Sequence, residues 1–418
     1  MAVIDRVLGR LVTRGVLEVV HPDGRVAVHG TTETGFPEVR VRFADAKVAR
    51  NILLDPRLGA AEAFMDGRLI IERGEVMDLV ALLRLNNRWD HGRRIDRPTF
   101  ARRLRNRFAA TLEAINRQAS AKANVAHHYD IGNDLYERML DSEHMQYSCA
   151  YWPRDGMSLG EAQEAKLAHI AAKLALAPGL RVLDIGCGWG GMAIYLARHA
   201  DVKVTGITLS EEQAALARER VSAAGVSDRV TIELIDYRDL ASRGDSFDRI
   251  VSVGMFEHVG VPQYETFFRA CANMLAPEGV MLLHTIGRFG PPGKTDAFTR
   301  KYIFPGGYIP ALSETLAASE KVRLMQTDIE ILRLHYARTL REWYARCAAH
   351  RDYIEKEYGA RFYRMWTFYL AGATASFESG GMCNFQIQYI SRREALPITR
   401  DYIAEAEERL LAAEFRES

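Results

Sequence analysis

The order of apolar and polar positions in the first 85 residues predicts a small mixed α/β region. Residues 16–29, VLEVVHPDGRVAVH, alternate on both sides of a Pro-Asp-Gly turn, as in a β-hairpin. The alternating VRVRF at 39–43 predicts a third strand. The stretch 61–85 is interrupted by glycine in its middle and has a helical pattern at its end. This region therefore has enough apolar positions for a core of its own.

The second half of the chain shows a longer pattern, in which strands alternate with helices. Residues 109–175 are predicted to be helical, with breaks at Gly132-Asn133 and around Pro153. Five apolar strand patterns follow at 181–186, 202–210, 229–236, 247–256 and 279–287, with helical patterns after the first, second and fourth. This alternation predicts an α/β fold with a doubly wound, Rossmann-like parallel sheet. A helical insertion at 295–350 and an aromatic-rich helix at 360–378 complete the pattern.

Composition and charge exclude several classes of protein. The chain of 418 residues is 48% hydrophobic and 26% charged, which is typical of globular proteins and allows two or three domains. Its net charge of +1 gives no overall basic field for nucleic acid. It has no apolar run long enough to span a bilayer, and we expect no secretory signal, because MAVIDRVLGRLV has an early Asp and no long apolar core. Five widely spaced cysteines favour reduced thiols, so we expect a cytoplasmic protein.

One segment departs from this neutral balance. Residues 88–107 contain eight Arg, two Asp and no Lys, with apolar residues in between. The segment is interpreted either as a solvated helix or linker, or as a basic amphipathic surface for anionic lipid headgroups. RNA binding is a weaker third interpretation. Arginine also supports phosphate contact through two hydrogen bonds better than lysine does.

A glycine-rich loop directly after the first of the five strands is the strongest single motif. It runs Asp184-Ile-Gly186-Cys-Gly188-Trp-Gly190 and opens a helix. Such a loop binds either a dinucleotide pyrophosphate or S-adenosylmethionine. The acid at the strand end favours S-adenosylmethionine, because it would attract an ammonium group and repel a pyrophosphate. Asp236-Tyr237, at the end of the third strand, would suit adenine.

The second strand lacks the acid that commonly holds a ribose diol. It ends in Thr208-Leu-Ser-Glu-Glu-Gln213, where Thr208 and Gln213 could supply the hydrogen bonds instead. Ser210 could equally be a plain helix N-cap, and one role does not exclude the other.

Longer motifs, between residues 120 and 390, resemble a known family. They are Ala126-His-His-Tyr-Asp130, Gln146-Tyr-Ser-Cys-Ala-Tyr-Trp152, Val182-Leu-Asp-Ile-Gly-Cys-Gly-Trp-Gly-Gly191, Asp236-Tyr-Arg-Asp239, Ser252-Val-Gly-Met-Phe-Glu-His-Val-Gly260, Leu282-Leu-His-Thr-Ile-Gly287 and Lys301-Tyr-Ile-Phe-Pro-Gly306. The chain thereby resembles the cyclopropane-fatty-acyl-phospholipid synthase family. Its first hundred residues look like the lipid-binding N-terminal domain of the longer members. The implied organisation is a lipid-binding domain at 1–87, an Arg-rich linker or helix at 88–120 and a methyltransferase domain at 121–418.

The resemblance implies methyl transfer from S-adenosylmethionine to the cis double bond of a phospholipid acyl chain. A bound bicarbonate ion is then implied to remove a proton so that a cyclopropane ring closes. The residues implied to hold bicarbonate are Cys149, Glu257, His284, Ile286 and Tyr336. Those implied to hold the cofactor are Tyr147, Ser148, Asp184, Gly186, Gly188, Thr208, Gln213, Asp236 and Tyr237. No metal site is expected, because His127 and His128 are adjacent on one helix and are expected to close over the cofactor.

A carbocation on the lipid chain would need an apolar, water-free pocket and aromatic faces. Candidates are Trp189, Phe256, Tyr302, Phe304, Tyr336, Trp366 and Tyr369, most of which could equally be ordinary core residues. Ala373 stands where many members of the family have a cysteine, which leaves open whether the product is a ring. The alternatives are a methyl-branched or methylated unsaturated product, a non-catalytic lipid-binding protein and a nucleic-acid methyltransferase. The expected partner is an anionic phospholipid bilayer at the inner face of the membrane, with no nucleic acid and a possible homodimer.

Overall fold

The computed structural model describes residues 3–91 and 132–414. The strands are β1 (Gly15–Val20), β2 (Val26–Thr31), β3 (Glu38–Phe43), β4 (Leu69–Arg73), β5 (Arg181–Ile185), β6 (Lys203–Thr208), β7 (Val230–Leu234), β8 (Phe247–Val253), β9 (Leu275–Arg288), β10 (Met325–Leu332) and β11 (Met382–Ile390). The α-helices are α1 (Val3–Leu11), α2 (Ala46–Leu54), α3 (Pro56–Met65), α4 (Val76–Leu85), α5 (Asn133–Met139), α6 (Leu159–Lys173), α7 (Gly191–Ala200), α8 (Glu211–Ala223), α9 (Tyr237–Ser242), α10 (Tyr264–Met274), α11 (Leu312–Glu320), α12 (His335–Ala349), α13 (Arg351–Tyr358), α14 (Ala360–Glu378) and α15 (Asp401–Glu414).

The chain forms two compact units that are not continuous in sequence. Unit 1 combines residues 1–107 with 295–305 and 337–382, and unit 2 combines 108–294 with 306–336 and 383–418. This division differs from the predicted limits of 1–87, 88–120 and 121–418, because two later segments fold with the N-terminal residues. Within unit 1, Arg361 pairs with Asp66, and Arg364 Nε donates to the Met65 carbonyl. These contacts join α14 to the end of α3.

Unit 1 is built on a four-stranded sheet in the order β2-β1-β3-β4. Strands β1 and β2 are antiparallel around the Pro-Asp-Gly turn, so the predicted hairpin is confirmed, and β3 is the predicted third strand. The alternation of β1 buries Leu17 and Val19, which join Val39 and Val41 of β3 in the core. Helix α3 begins at Pro56 because Asp55 caps it and proline fits the first turn.

Unit 2 contains a seven-stranded sheet in the order β10-β11-β9-β8-β5-β6-β7. The five predicted strands are β5 to β9, and they are parallel to their neighbours in this set. Strand β5 is the middle one of these five parallel strands, and Asp184 is opposite Gly206 of β6 and Val251 of β8. Because parallel strands end at the same edge, the segments that follow them converge there. The predicted α/β fold is therefore confirmed.

Several parts of the prediction for this half of the chain were wrong. The sheet is mixed rather than wholly parallel, since β10 is antiparallel to β11. Strand β10 interrupts the helical insertion predicted at 295–350, and β11 had not been predicted as a strand. Residues 140–158 also lack the predicted helix, since α6 begins only after the capping box of Ser158 and Glu161. Strand β11 has buried amide side chains at alternate positions, so its sequence lacks the apolar pattern from which a buried strand is predicted.

Several predictions lie outside the described residues. They include most of the Arg-rich segment, from residue 92 onwards, and the motif that contains His127 and His128. Within residues 3–91 and 132–414, no helix is long and apolar enough to cross a membrane. The same residues contain no group of three or more His, Cys, Asp or Glu side chains placed to hold a metal ion.

Candidate cofactor and active site

All nine predicted cofactor residues line one pocket of unit 2, at the carboxyl edge of the sheet. Asp184 ends β5 with 2% of its surface exposed, and its Oδ2 atom has no hydrogen-bond partner among the described residues. Burial raises the pKa of Asp184 to about 7, although the nearby Lys166 ammonium lowers it. The pocket thus contains a carboxylate that a ligand cation would stabilise in its charged form.

The glycine loop turns sharply at the mouth of this pocket. Gly186 and Gly188 have φ angles of +85° and +54°, in the left-handed region that favours glycine. A Cβ atom on Gly188 would enter open space, whereas one on Gly186 would lie 2.9 Å from Met255 Cβ. Cys187 packs against Gly206 and belongs to the core of unit 2.

Polar side chains after β6 and β7 complete this side of the pocket. Thr208 Oγ1 donates to Gln213 Oε1 at 2.9 Å, and Ser210 caps α8 by accepting from the Gln213 amide. The N-cap role of Ser210 is therefore confirmed, whereas the ribose role of Thr208 and Gln213 stays a prediction. Asp236 caps α9 and also forms an ion pair of 2.6 Å with Arg238, a partner that the sequence had not suggested.

The segment that precedes α6 forms the opposite wall. Tyr147 and Ser148 line the pocket as predicted, next to Gln146. Ser148 Oγ accepts a hydrogen bond of 2.9 Å from Lys166, and Gln146 Oε1 accepts a second from the same ammonium. Lys166 is fully buried. It was missed by the sequence reasoning.

Two of the five residues predicted to hold bicarbonate, Glu257 and Ile286, meet near the end of β9. Glu257 Oε1 accepts a 2.6 Å hydrogen bond from the Ile286 amide, and its buried Oε2 has no partner among the described residues. Burial raises the pKa of Glu257 to about 7, so this carboxyl is largely neutral below that pH. His284 lies two residues before Ile286, so both side chains leave the same face of the strand.

The His284 ring is held by amides rather than by Glu257. Its Nδ1 atom lies 3.2 Å from Gln386 Nε2, and its Nε2 atom lies 3.4 Å from Asn384 Nδ2. Burial lowers the pKa of His284 to about 3, so the ring is neutral. Of this pair, Glu257 is therefore the group that carries a titratable proton near neutral pH.

Cys149 and Tyr336, the other two predicted residues, are linked through their neighbours. Cys149 is fully buried, which raises the pKa of its thiol well above the usual range. Tyr151 stacks between the rings of His169 and His335, at centroid distances of 4.2 and 5.1 Å. The Trp152 amide also donates to His335 Nδ1. These contacts bring the segment after Cys149 to the beginning of α12, where Tyr336 is buried.

The candidate aromatic residues divide between the two units. In unit 2, Trp189 lines the pocket, whereas Phe256 stacks on Tyr264 at 4.1 Å inside the core. Phe256 therefore has the ordinary core role that was the alternative. The members in unit 1 are Tyr302, Phe304, Trp366 and Tyr369.

Comparison with known proteins identifies the family. A family model for mycolic acid cyclopropane synthetase matches residues 116–387. The chain belongs to this family. It is 40% identical to the cyclopropane-fatty-acyl-phospholipid synthase of Escherichia coli (strain K12) over 367 residues, which are 87% of this chain and 90% of that protein.

The chain is also similar to proteins that carry other names. Tuberculostearic acid methyltransferase UfaA1 of Mycobacterium tuberculosis (strain ATCC 25618 / H37Rv) is 33% identical over 407 residues, 92% of this chain and 90% of that protein. The crystal structure of mycolic acid cyclopropane synthase CmaA1 complexed with SAH and CTAB aligns with a TM-score of 0.60 and 33% identity, over 64% of this chain and 97% of that one. The chain is an S-adenosylmethionine-dependent methyltransferase.

The pocket of this methyltransferase fits its cofactor. The unpartnered Oδ2 of Asp184 suits a ligand ammonium group, and the open space beside Gly188 allows a ligand to approach the backbone. Thr208 and Gln213 place a hydroxyl and an amide group on the pocket lining.

Sequence reasoning missed several residues of this site. Met255 and His258 line the pocket although only their motif had been noted, and burial lowers the pKa of His258 to about 4. Lys166 was detectable in principle, because it falls on the apolar stripe of α6 with Ala162 and Ile170. Only packing, however, shows which face of the helix is buried.

Proposed function

We propose that this methyltransferase adds the methyl group of S-adenosylmethionine to a cis double bond in a phospholipid acyl chain. We further propose that a bound bicarbonate ion assists formation of a cyclopropane ring. The observation that carries the proposal is the buried Glu257 carboxyl beside the Ile286 amide, with one oxygen unpartnered among the described residues. The 40% identity to a cyclopropane-fatty-acyl-phospholipid synthase over 87% of the chain supports the same product.

The cofactor would supply an electrophilic methyl group when it is bound in the pocket. One alkene carbon takes that methyl group, and the other becomes cationic. Bicarbonate would accept a proton from the new methyl group and become carbonic acid, and the carbon–hydrogen electron pair would close the ring. In this proposal bicarbonate rather than Glu257 is the base, and Glu257 acts in its protonated form, which burial favours by raising its pKa to about 7.

The residues around the anion have separate tasks in this proposal. Neutral Glu257 would donate its O–H to bicarbonate, while the Ile286 amide holds the other carboxyl oxygen in place. Asn384 and Gln386 fix the orientation of the neutral His284 ring. Cys149 is a buried, protonated thiol, so its contribution is an uncharged wall rather than a nucleophile.

A second product is favoured by the relatives. Tuberculostearic acid methyltransferase UfaA1 matches 92% of this chain, and a probable fatty acid methyltransferase of Pseudomonas putida is 39% identical over 288 residues. Together with Ala373, these matches support a methyl-branched or methylated unsaturated chain as the alternative. The same cation would then lose a different proton to give the unsaturated chain, or accept a hydride from a separate hydride-donating cofactor to give the saturated branched chain.

Membrane attachment belongs to the same proposal. The substrate is a chain within a bilayer, so the enzyme would dock on anionic lipid through its N-terminal region and the Arg-rich segment at the inner face of the membrane. Arginine side chains near an anionic surface each contribute roughly 1 kcal/mol.

The test uses the purified full chain with vesicles of cis-unsaturated anionic phospholipid and S-adenosylmethionine, followed by mass spectrometry of the acyl chains. A ring adds CH2 and removes the alkene, whereas a methylated alkene retains it. Vesicles of saturated phospholipid are the control and should give no product. Depletion of dissolved carbon dioxide should slow turnover, and added bicarbonate should restore it. Alkene loss at an unchanged rate without carbon dioxide would exclude the bicarbonate step, and a retained alkene would favour the alternative product.

A further inference from the structure

Three aromatic rings stack face to face in unit 2, close in sequence to two of the residues predicted to hold bicarbonate. The Tyr151 ring lies between the rings of His169 and His335, at centroid distances of 4.2 and 5.1 Å and with an interplanar angle of 7° on each side. Tyr151 follows Cys149 by two residues, and His335 directly precedes Tyr336. The stack therefore joins the segment that contains Cys149 to the beginning of α12.

The first outer ring of the stack, His169, is held at both of its nitrogen atoms. Its Nε2 atom lies 2.6 Å from Glu330 Oε2 on β10, and its Nδ1 atom lies 2.9 Å from Glu407 Oε2 on α15. A carboxylate only accepts hydrogen bonds and a neutral imidazole has one N–H group, so two carboxylate partners require the charged ring with two N–H groups. Burial opposes this charge, but the hydrogen bonds to Glu330 and Glu407 raise the pKa of His169. His169 is thus a cation whose orientation is fixed by β10 and α15.

The second outer ring, His335, is in a different protonation state. Its Nδ1 atom accepts a hydrogen bond of 2.9 Å from the Trp152 amide, so this nitrogen carries no proton and the ring is neutral. The Tyr151 ring therefore has a cation on one side only. Because the face of a phenol ring attracts a cation, His169 holds Tyr151 by more than apolar contact.

The cofactor wall that precedes this segment is held by separate contacts. Gln163 Nε2 donates to the carbonyl oxygens of Gln146 and Ser148, at 3.2 and 3.0 Å. Asp141 Oδ1 accepts a hydrogen bond of 2.9 Å from the Gln146 amide. None of these contacts passes through the ring stack. A change in the stack should consequently leave the cofactor wall in place.

We propose that His169 is a positioning residue, whose charged ring fixes Tyr151 and thereby aligns the two segments that contain Cys149 and Tyr336. The inference rests on the proposed bicarbonate site and deepens it, because it names a residue outside that site which sets its shape. His169 itself touches neither the anion nor the lipid in this assignment. Through Glu407, the C-terminal helix α15 takes part in the same alignment.

The experiment measures two quantities for the purified full chain. One is acyl-chain turnover on vesicles of cis-unsaturated anionic phospholipid, with bicarbonate added back after removal of dissolved carbon dioxide. The other is S-adenosylhomocysteine affinity, by calorimetry. The variants are H169Q, which removes the charged ring, Y151L, which removes the central ring, and Y151F, which retains it. H21Q is the matched control, because His21 is a similarly buried histidine paired with a carboxylate, Asp5 at 2.8 Å, in unit 1.

We expect H169Q and Y151L to lose about fivefold in turnover when bicarbonate is limiting, the size of one lost contact between a cation and an aromatic face. Their S-adenosylhomocysteine affinity should equal the parent's. The double variant H169Q/Y151L should be no slower than Y151L, because His169 acts through Tyr151. Y151F should restore most of the turnover that Y151L loses, and H21Q should turn over as the parent does.

Turnover of H169Q equal to the parent's would overturn the inference, as would an equal fall in its turnover and its cofactor affinity. Additive losses in the double variant, or an equal loss in H21Q, would also overturn it. If H169Q does not fold, E407A decides by the same measurements, because it removes one carboxylate from the His169 ring; failure of both to fold would assign this cluster to the fold alone. Turnover of the parent that does not depend on bicarbonate would refute the proposed bicarbonate step, which is a separate result, and the comparison of turnover with cofactor affinity would still decide the role of His169.

Discussion

Replacing Glu257 by glutamine should reduce activity and increase stability, and the gain should depend on pH. Glu257 is 8% exposed, and burial raises its pKa from 4.5 to about 7. Glutamine has nearly the same volume, and its Oε1 atom can still accept from the Ile286 amide. The substitution therefore removes an ionisable group with little change in packing.

The size of the effect follows from proton linkage. In the unfolded chain Glu257 ionises near pH 4.5, but in the folded protein it stays protonated until about pH 7. The free energy of unfolding consequently decreases as pH rises from the pKa in the unfolded chain to the pKa in the folded protein. Above both pKa values the decrease stays constant. This difference in pKa corresponds to about 3 kcal/mol. E257Q avoids the loss, so it should match the parent near pH 4.5 and exceed it by about 3 kcal/mol at pH 8.

Urea unfolding of the parent and of E257Q at pH 5, 6, 7 and 8 tests this prediction, with acyl-chain turnover measured in parallel. E265Q is the control, because Glu265 is an exposed carboxylate paired with Arg269 and Lys321. Its stability relative to the parent should not rise with pH. The reasoning would be refuted if E257Q differed from the parent by the same amount at every pH, or if it became less stable as pH rose.

Two further predictions concern the glycine loop and the Arg-rich segment. Gly186→Val should abolish most S-adenosylmethionine binding, because φ is +85° and a Cβ atom would lie 2.9 Å from Met255 Cβ; a left-handed conformation alone costs about 1–2 kcal/mol. Gly225→Ala is the control, because Gly225 has a φ of +67° and open space around it: this variant should be less stable but keep its affinity for S-adenosylmethionine. Unchanged calorimetric binding in folded G186V would contradict the loop assignment. Glutamine substitution of four arginines should weaken sedimentation with anionic vesicles, most strongly at low salt, and leave S-adenosylmethionine affinity unchanged; the four are Arg102, Arg103, Arg105 and Arg107. Equal sedimentation of parent and variant would place docking elsewhere on the protein.

The sequence by itself determined the fold class and the composition of the cofactor pocket. Asp184, Thr208 and Asp236 each occur at or just after the end of a strand pattern, and parallel strands bring such ends to one edge whatever the details of packing. Local spacing was therefore enough to predict that these residues share a pocket. The same holds for the N-terminal hairpin, whose turn residues and alternation act over a few positions.

Tertiary structure decided the features that depend on residues far apart in the chain. His284 is held by Asn384 and Gln386, about a hundred residues away, because β11 is placed next to β9 in the sheet. In the sequence Lys166 is indistinguishable from an ordinary residue of a helix. Only the packed structure shows that it is buried beside Ser148. The inclusion of residues 337–382 in unit 1 is likewise invisible in local patterns. Hydrophobic periodicity predicts which face of an element is buried. Which segment covers that face depends on packing between distant parts of the chain, which a local pattern does not contain.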